Sequence, residues 1–480
     1  MMNLNITLIK KFNFDVLAIY LFFLWKISPG IFADGFNYDD SHEILITRID
    51  SVYDFFAFAD HHFLYSLILY LISFLLPFAN LQIVNLIFVL GALLFTKKIY
   101  ELLSFSYASF LLSGVILISS PIFLEYSIRI KQYTLDYCLI LMMIYMFVQL
   151  ENSMITPKQF QLFGLLASFS SLIVLPVFIT FLIVRFKYFF KEFNFKFLIF
   201  ALMLSYFFYN VAVVRLKIFD EKYTEYFSFS FFIGNSVVDE INNLVFALLI
   251  FFRGVSDNGF IFLFLIIFII GLLKSYKSNK KIVKAFTLLL TIFCFLHLFD
   301  LYPISAGRSM TFMFPFIIIF SSQVVNFSNN KRFVSIIFIV ISVLLTNFTQ
   351  SNYPSSYISE FVEDVNEREL TIVDFYLIPQ YSLYTNSTYT NIQRMYKATD
   401  PCLYSTNRNN IVFLIDKNCS PLAIGMNSNI KFNNYKRIIF LSEENTINPK
   451  DEVNDVFENF DFYIVSETKL GKTYKLIYEK

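Results

Sequence analysis

Apolar stretches recur along the first 350 residues, near 15–32, 62–78, 81–96, 107–124, 133–150, 159–184, 195–214, 259–273, 283–299, 310–326 and 333–348. A helix needs roughly 20 apolar residues to cross the hydrocarbon of a bilayer, and only helices or closed barrels satisfy their backbone polar groups there. Several of these stretches reach that length and others fall short. The chain therefore reads as a polytopic α-helical membrane protein of about 11–13 membrane segments. Composition agrees, with 57% of residues hydrophobic, 16% charged and mean hydropathy +0.60. Lys and Arg total 38 against 37 Asp and Glu, so no excess charge draws the chain to nucleic acid. The first run follows Lys10 and Lys11 in the manner of a signal peptide. It is long and many runs follow, so it reads as an uncleaved span whose N-terminus is cytoplasmic.

Three basic clusters, at 185–196 (RFKYFFKEFNFK), 274–284 (KSYKSNKKIVK) and Lys331-Arg332, belong in the cytoplasm by the positive-inside rule. They agree if residues 215–258 and 300–309 face outward, with Leu244 to Phe252 lying on the surface or re-entering. A crossing at 333–348 then leaves the tail outside. The first half admits two arrangements. If 62–78 and 81–96 both cross, the segment Glu125 to Asp136 is cytoplasmic and Lys97-Lys98 lies outside. If they amount to one crossing broken near Pro77, Lys97-Lys98 is inside, Glu125 to Asp136 faces outward, and 159–184 is a short hairpin turning near Pro176. The second arrangement is preferred, for a chemical reason given below.

After about Gln350 the apolar runs shrink to strand length. Residues 370–378, 410–415, 436–442, 461–466 and 473–479 read as strands, with helical patterns at 357–368 and 449–460. Residues 351–480 thus form a soluble α/β domain on the extracytoplasmic side, after a transmembrane domain of residues 1–350. Cys402 and Cys419 lie in that tail, where an oxidising compartment would allow a disulfide that their spacing does not itself decide.

Between the first two apolar runs lies ADGFNYDDSHEILITRIDSVYDFFAFADHHFLY, residues 33–65, with seven acids against the single base Arg48. Acids beside membrane spans are costly and mark functional sites, although a solvated loop also carries them. Asp40 and Glu43 have capping-box spacing, which would begin a helix at Asp39-Asp40 and place its positive dipole end at those carboxylates. From Ile44 the apolar residues recur every three or four, as in a helix lying on the membrane surface.

Three motifs, in order, resemble the GT-C superfamily of membrane glycosyltransferases, in particular the protein O-mannosyltransferases, the lipid A aminoarabinose transferase and related bacterial enzymes. They are Asp39-Asp40 followed by His61-His62-Phe63-Leu64-Tyr65; Glu125 to Asp136 (EYSIRIKQYTLD); and Leu301 to Pro315 (LYPISAGRSMTFMFP). The family typically has Asp-Glu at the first position and often Pro-Pro before Leu-Tyr, so Asp40, His61 and His62 depart from its pattern.

The resemblance implies a multi-pass inner (plasma) membrane enzyme. It would move a sugar, with inversion, from a polyprenyl-phosphate donor to an extracytoplasmic glycan, lipid or protein. Asp39 would take the acceptor proton, with Asp40 orienting the acceptor or tuning the base. Arg308, then Lys131 and Arg129, would hold the departing phosphate, with Tyr133 beside it. That role is why Glu125 to Asp136 is placed outside. Asp136, costly inside a span, needs a partner such as Lys131 or an acceptor group. His61, His62 and Tyr302 complete the candidate substrate-binding set. No cofactor or metal is indicated, though paired acids leave room for a divalent cation. A transporter of polyprenyl-linked glycan or lipid, guiding the phosphate with the same charges and no covalent step, is the alternative. A membrane-anchored binding module acting through its tail is a third.

Overall fold

The computed structural model describes residues 14–31, 41, 44–48, 63–77, 80–171, 173–186, 237–255, 261–298, 304, 308–327, 361, 369–374, 377–384, 403–405, 411–414, 432–443, 450–470 and 473–480. The chain is mostly helical with a C-terminal sheet, and it divides into two compact units. One comprises Met1–Ile31, Ala59–Ile68 and Ala79–Thr349; the other comprises Phe32–Phe58, Leu69–Phe78 and Gln350–Lys480.

The helices are α1 (Phe14–Ile31), α2 (Phe63–Ser73), α3 (Ile83–Leu102), α4 (Tyr107–Ser119), α5 (Pro121–Ile128), α6 (Tyr133–Glu151), α7 (Pro157–Ser170), α8 (Val174–Val184), α9 (Val237–Val255), α10 (Ile261–Ser278), α11 (Lys280–Leu298) and α12 (Phe314–Ser322). Among the described residues α3 and α6 are long and apolar enough to cross a membrane, and the pair α4–α5 makes a third if it is one span bent by 66°. The bend has a local cause. Pro121 pushes Ser120 out of helical backbone, to φ −74° and ψ 117°, and then starts α5 from its first position. The eleven residues of α2 span about 16 Å at 1.5 Å per residue, too short to cross.

Side-chain contacts give the helix directions. Asn85 bonds Thr134, Gly91 lies against Cys138, and the rings of Phe95 and Tyr145 stand 5.6 Å apart, so α3 and α6 run parallel. Lys97 pairs with Asp15 at 2.7 Å while the Tyr20 hydroxyl donates to the Leu86 carbonyl at 3.1 Å, so α1 runs against α3. Glu151, ending α6, pairs with both Arg185, just past α8, and Lys281, in the first turn of α11. Asp15, Lys97, Glu151, Arg185 and Lys281 therefore share one end of the bundle. The starts of α3 and α6 lie at the other.

Residues 159–184 behave as a hairpin: α7 leaves the basic end and α8 returns to it, packing Phe160 against Phe178 and Phe181. The reversal falls between Ser170 and Val174, a few residues before Pro176, which sits in the first turn of α8. That agrees with the arrangement that keeps Lys97-Lys98 with the other basic clusters. Leu244 to Phe252 is part of α9, whose Phe251 packs on Phe314 at 5.9 Å.

In the second unit, strands β1 (Glu369–Val373), β2 (Leu403–Ser405), β3 (Ile411–Leu414), β4 (Arg437–Glu443), β5 (Tyr463–Leu470) and β6 (Thr473–Glu479) form a mixed sheet of order β2-β3-β1-β4-β6-β5. β1 pairs in parallel with β3 and β4, and the other pairings are antiparallel. β1 is buried on both faces, as parallel central strands are. Its Leu370 and Ile372 join one core with Val453 and Phe457 of α14 (Lys450–Glu458), and Val373 joins another with Ile378 and Tyr381 of α13 (Ile378–Tyr384). The five expected strands are present; the three-residue β2 and α13 are additions. The helix expected at 357–368 lies, apart from Phe361, outside the described residues, as do Cys402 and Cys419. Ile44, Leu45 and Ile46 are buried, and Arg48 donates to the Leu383 carbonyl at 3.1 Å. Here the start of the expected surface helix is packed against protein.

Helix α10 passes so close to α12 that a β-carbon on Gly271 would overlap the Phe320 carbonyl oxygen. Small residues permit such approaches between apolar helices. Gly271→Ala should lower the stability of the detergent-purified protein by about 2 kcal/mol. Gly91→Ala, whose β-carbon would meet the Cys138 Sγ at 3.1 Å, should lower it less; thermal unfolding compares the two.

Candidate functional site

At the end of the bundle opposite the paired basic groups, α3, α5 and α6 meet around one polar side chain. Asn85, in the first turn of α3, is fully buried. Its Oδ1 accepts from the Tyr65 hydroxyl at 3.1 Å and the Thr134 hydroxyl at 3.0 Å, and its Nδ2 donates to the Arg129 carbonyl. The amide orientation follows from these partners. Two hydroxyls need an acceptor and a carbonyl needs a donor, which one orientation supplies at once.

The Arg129 carbonyl has a second donor, the Lys131 N–H at 2.9 Å, which closes a three-residue turn over the buried Ile130. This turn joins α5 to α6 and carries two of the residues picked out in the sequence, Arg129 and Lys131; two more, Tyr133 and Asp136, follow in the first turn of α6. Arg129 is mostly buried, and its Nη1 lies 3.2 Å from Glu125 Oε1. Lys131 is partly exposed. Tyr133 opens α6, its ring 4.1 Å from that of Tyr126. Asp136 is buried in the first turn of α6, where the helix dipole favours a carboxylate.

The third motif arrives from across the sequence. Arg308 begins a 3₁₀ helix, Arg308–Met313, that runs into α12. Upstream of it the Ile304 N–H donates to His297 Nδ1 at 3.2 Å, and Phe312 meets Phe293 of α11 at 4.4 Å. Thr311 and Phe314 join Ile122, Phe123, Tyr126, Tyr133, Thr134 and Tyr137 in lining a small, largely apolar cleft. Segments more than 170 residues apart thus share one wall. The Arg308 side chain, and Asp39, Asp40, His61, His62 and Tyr302, lie outside the described residues. Among the described residues no group of three His, Cys, Asp or Glu side chains is placed to hold a metal ion.

No protein-family model matches this sequence, and no curated protein matches it. Function must be argued from the site's own chemistry.

The sequence reading missed Asn85 and Lys26. Asn85 announces itself only as a polar residue within an apolar run, the kind of side chain that joins helices where water is absent. Lys26 is buried on α1, three residues beyond Phe23, whose ring lies 6.0 Å from Phe123 in the cleft wall. It adds a cation toward the same end of the bundle.

Because Asn85 Oδ1 accepts two hydrogen bonds, losing one leaves it satisfied and losing both does not. Tyr65→Phe and Thr134→Val should each cost about 1 kcal/mol. The double variant should cost more than their sum, since a buried carbonyl without a partner is penalised by a further 1–3 kcal/mol or so. Unfolding in mixed micelles would measure the cycle.

Proposed function

We propose that the chain is a polytopic, GT-C-like membrane glycosyltransferase. It moves a sugar with inversion from a polyprenyl phosphate to an acceptor outside the plasma membrane, and its C-terminal α/β domain lies on that outer side. The observation supporting this most is the meeting of Glu125 to Asp136 with Arg308–Met313 at one end of a bundle whose opposite end gathers Lys97, Arg185 and Lys281. By the positive-inside rule the lysine- and arginine-rich end is cytoplasmic. The end carrying the two motifs is then the outer one, where a lipid-borne donor and a soluble or lipid-borne acceptor can meet.

The chemistry asked of these residues is modest. The acceptor hydroxyl or amine attacks the anomeric carbon from the face opposite the phosphate, forming the new glycosidic bond as the carbon–oxygen bond to phosphate breaks. Asp39 takes the proton the acceptor loses, and Asp40 holds the acceptor or raises the pKa of its neighbour by like charge. The leaving polyprenyl phosphate keeps the bonding electrons. Arg308, and after it Lys131 and Arg129, offset the charge that grows on it, more strongly where water is scarce than in bulk water. Tyr126, Tyr133 and Phe314 offer apolar surface to the first carbons of the prenyl chain.

Topology can be read with membrane-impermeant thiol reagents on a cysteine-free background. A cysteine at position 131 should label from outside the cell, and one at 281 only after permeabilisation; the reverse would refute the orientation. Activity is tested on purified protein with labelled polyprenyl-phosphate hexoses. Asp39→Asn and Arg308→Ala should each slow transfer at least 100-fold. Transfer by both variants at the wild-type rate would show that the chemistry lies elsewhere. Movement of labelled lipid between leaflets without transfer of sugar would favour a transporter.

A further inference from the structure

We infer that Asn85 is a positioning residue for the donor phosphate, acting through Lys131. The inference rests on the donor reading above and goes beyond it by naming what holds the cation in place. Its basis is the shared acceptor. The Arg129 carbonyl receives the Lys131 N–H at 2.9 Å and the Asn85 amide, so the turn over Ile130 is locked from inside its own loop and from α3. A three-residue turn by itself is a weak restraint, with one hydrogen bond across one central residue. A second donor on the same carbonyl, from a fully buried side chain whose own oxygen is engaged by Tyr65 and Thr134, removes the remaining rotation of that peptide. The backbone of Lys131 then leaves the turn in one direction. A flexible lysine stem needs such a base, because an ammonium binds phosphate as a point charge with no geometry of its own.

Asn suits the position for a chemical reason. Leucine at 85 would match its size and offer none of the three bonds. Aspartate would still accept from both hydroxyls, and burial would keep it protonated, so that its O–H takes the place of the amide as donor to the Arg129 carbonyl. Leucine should therefore free the turn and aspartate hold it, with the rest of the cleft wall in place.

The test uses the full-length protein in detergent or nanodiscs, with labelled polyprenyl-phosphate hexose as donor. Asn85→Leu should raise the KM for donor about tenfold while leaving the KM for acceptor unchanged. Lys131→Gln should do the same. Combined with Lys131→Gln, Asn85→Leu should add nothing further, because it acts through the cation already removed. Asn85→Asp, which keeps all three bonds while protonated, should leave the donor KM near that of the wild type, and Asn85→Ala should reproduce the donor defect where Asn85→Leu fails to fold. If the effects of Asn85 and Lys131 multiply, or if donor and acceptor KM move together, Asn85 is a general brace and the inference is wrong. If the wild-type protein neither transfers sugar nor binds polyprenyl monophosphate, the proposed function itself falls, and this inference with it. Wild-type activity with Asn85→Leu and Asn85→Ala indistinguishable from it would overturn the positioning role alone.

Discussion

Polar groups buried among apolar helices must find partners within the protein, since no water competes to satisfy them. The helical unit depends on that constraint at both of its ends. At one, Glu151 draws Arg185 and Lys281 together and so ties α6, α8 and α11. At the other, Asn85 joins α2, α3 and the α5–α6 turn through three hydrogen bonds. Between them the contacts are aromatic and aliphatic, as where Phe147 stacks on Phe181 and Phe286 meets Phe316. Apolar packing holds the helices side by side but is indifferent to register. The polar ends supply the register, and with it the placement of the candidate site.

The two ends also differ in what they present. Glu151 offsets only one of the two cations it pairs with, which leaves the basic end positive at that point. The Asn85 end carries Lys131 and Arg129, the latter paired with Glu125, in the turn between two helices that line a small apolar, aromatic cleft, with Lys26 buried toward the same end of α1. In the proposed donor site Lys131 meets the anionic head of the ligand, and the cleft receives no more than the start of its hydrocarbon tail.

Much of this was legible in the chain. The five strands of the tail were found as apolar runs of strand length, and α14 by its helical pattern; β2 was missed because three residues are too few to stand out as a run. The hairpin at 159–184 was legible as a consequence of the arrangement that places Lys97-Lys98 inside and Glu125 to Asp136 outside. Its turn was displaced because Pro176 is tolerated in the first turn of α8, so the reversal falls just ahead of the proline. The motif Glu125 to Asp136 was picked out by its resemblance to a segment of the GT-C enzymes. Asn85 was not, since one amide within an apolar run carries no charge pattern and belongs to no motif.

The sequence by itself determined that the chain is largely helical, where the apolar runs fall, which clusters of lysine and arginine must keep company, and that a strand-rich segment follows. These are local properties, set by hydropathy, period and turn chemistry within a window of residues. Only the tertiary structure decided that α3 and α6 run parallel, that Lys97 belongs with Arg185 and Lys281 at the basic end, and that Thr311 and Tyr133 line one cleft. Such facts depend on partners 20, 44 and 49 residues apart in the case of Asn85 alone. They follow from how rigid helices satisfy scarce polar groups while filling space, a many-body condition that no single stretch of sequence contains.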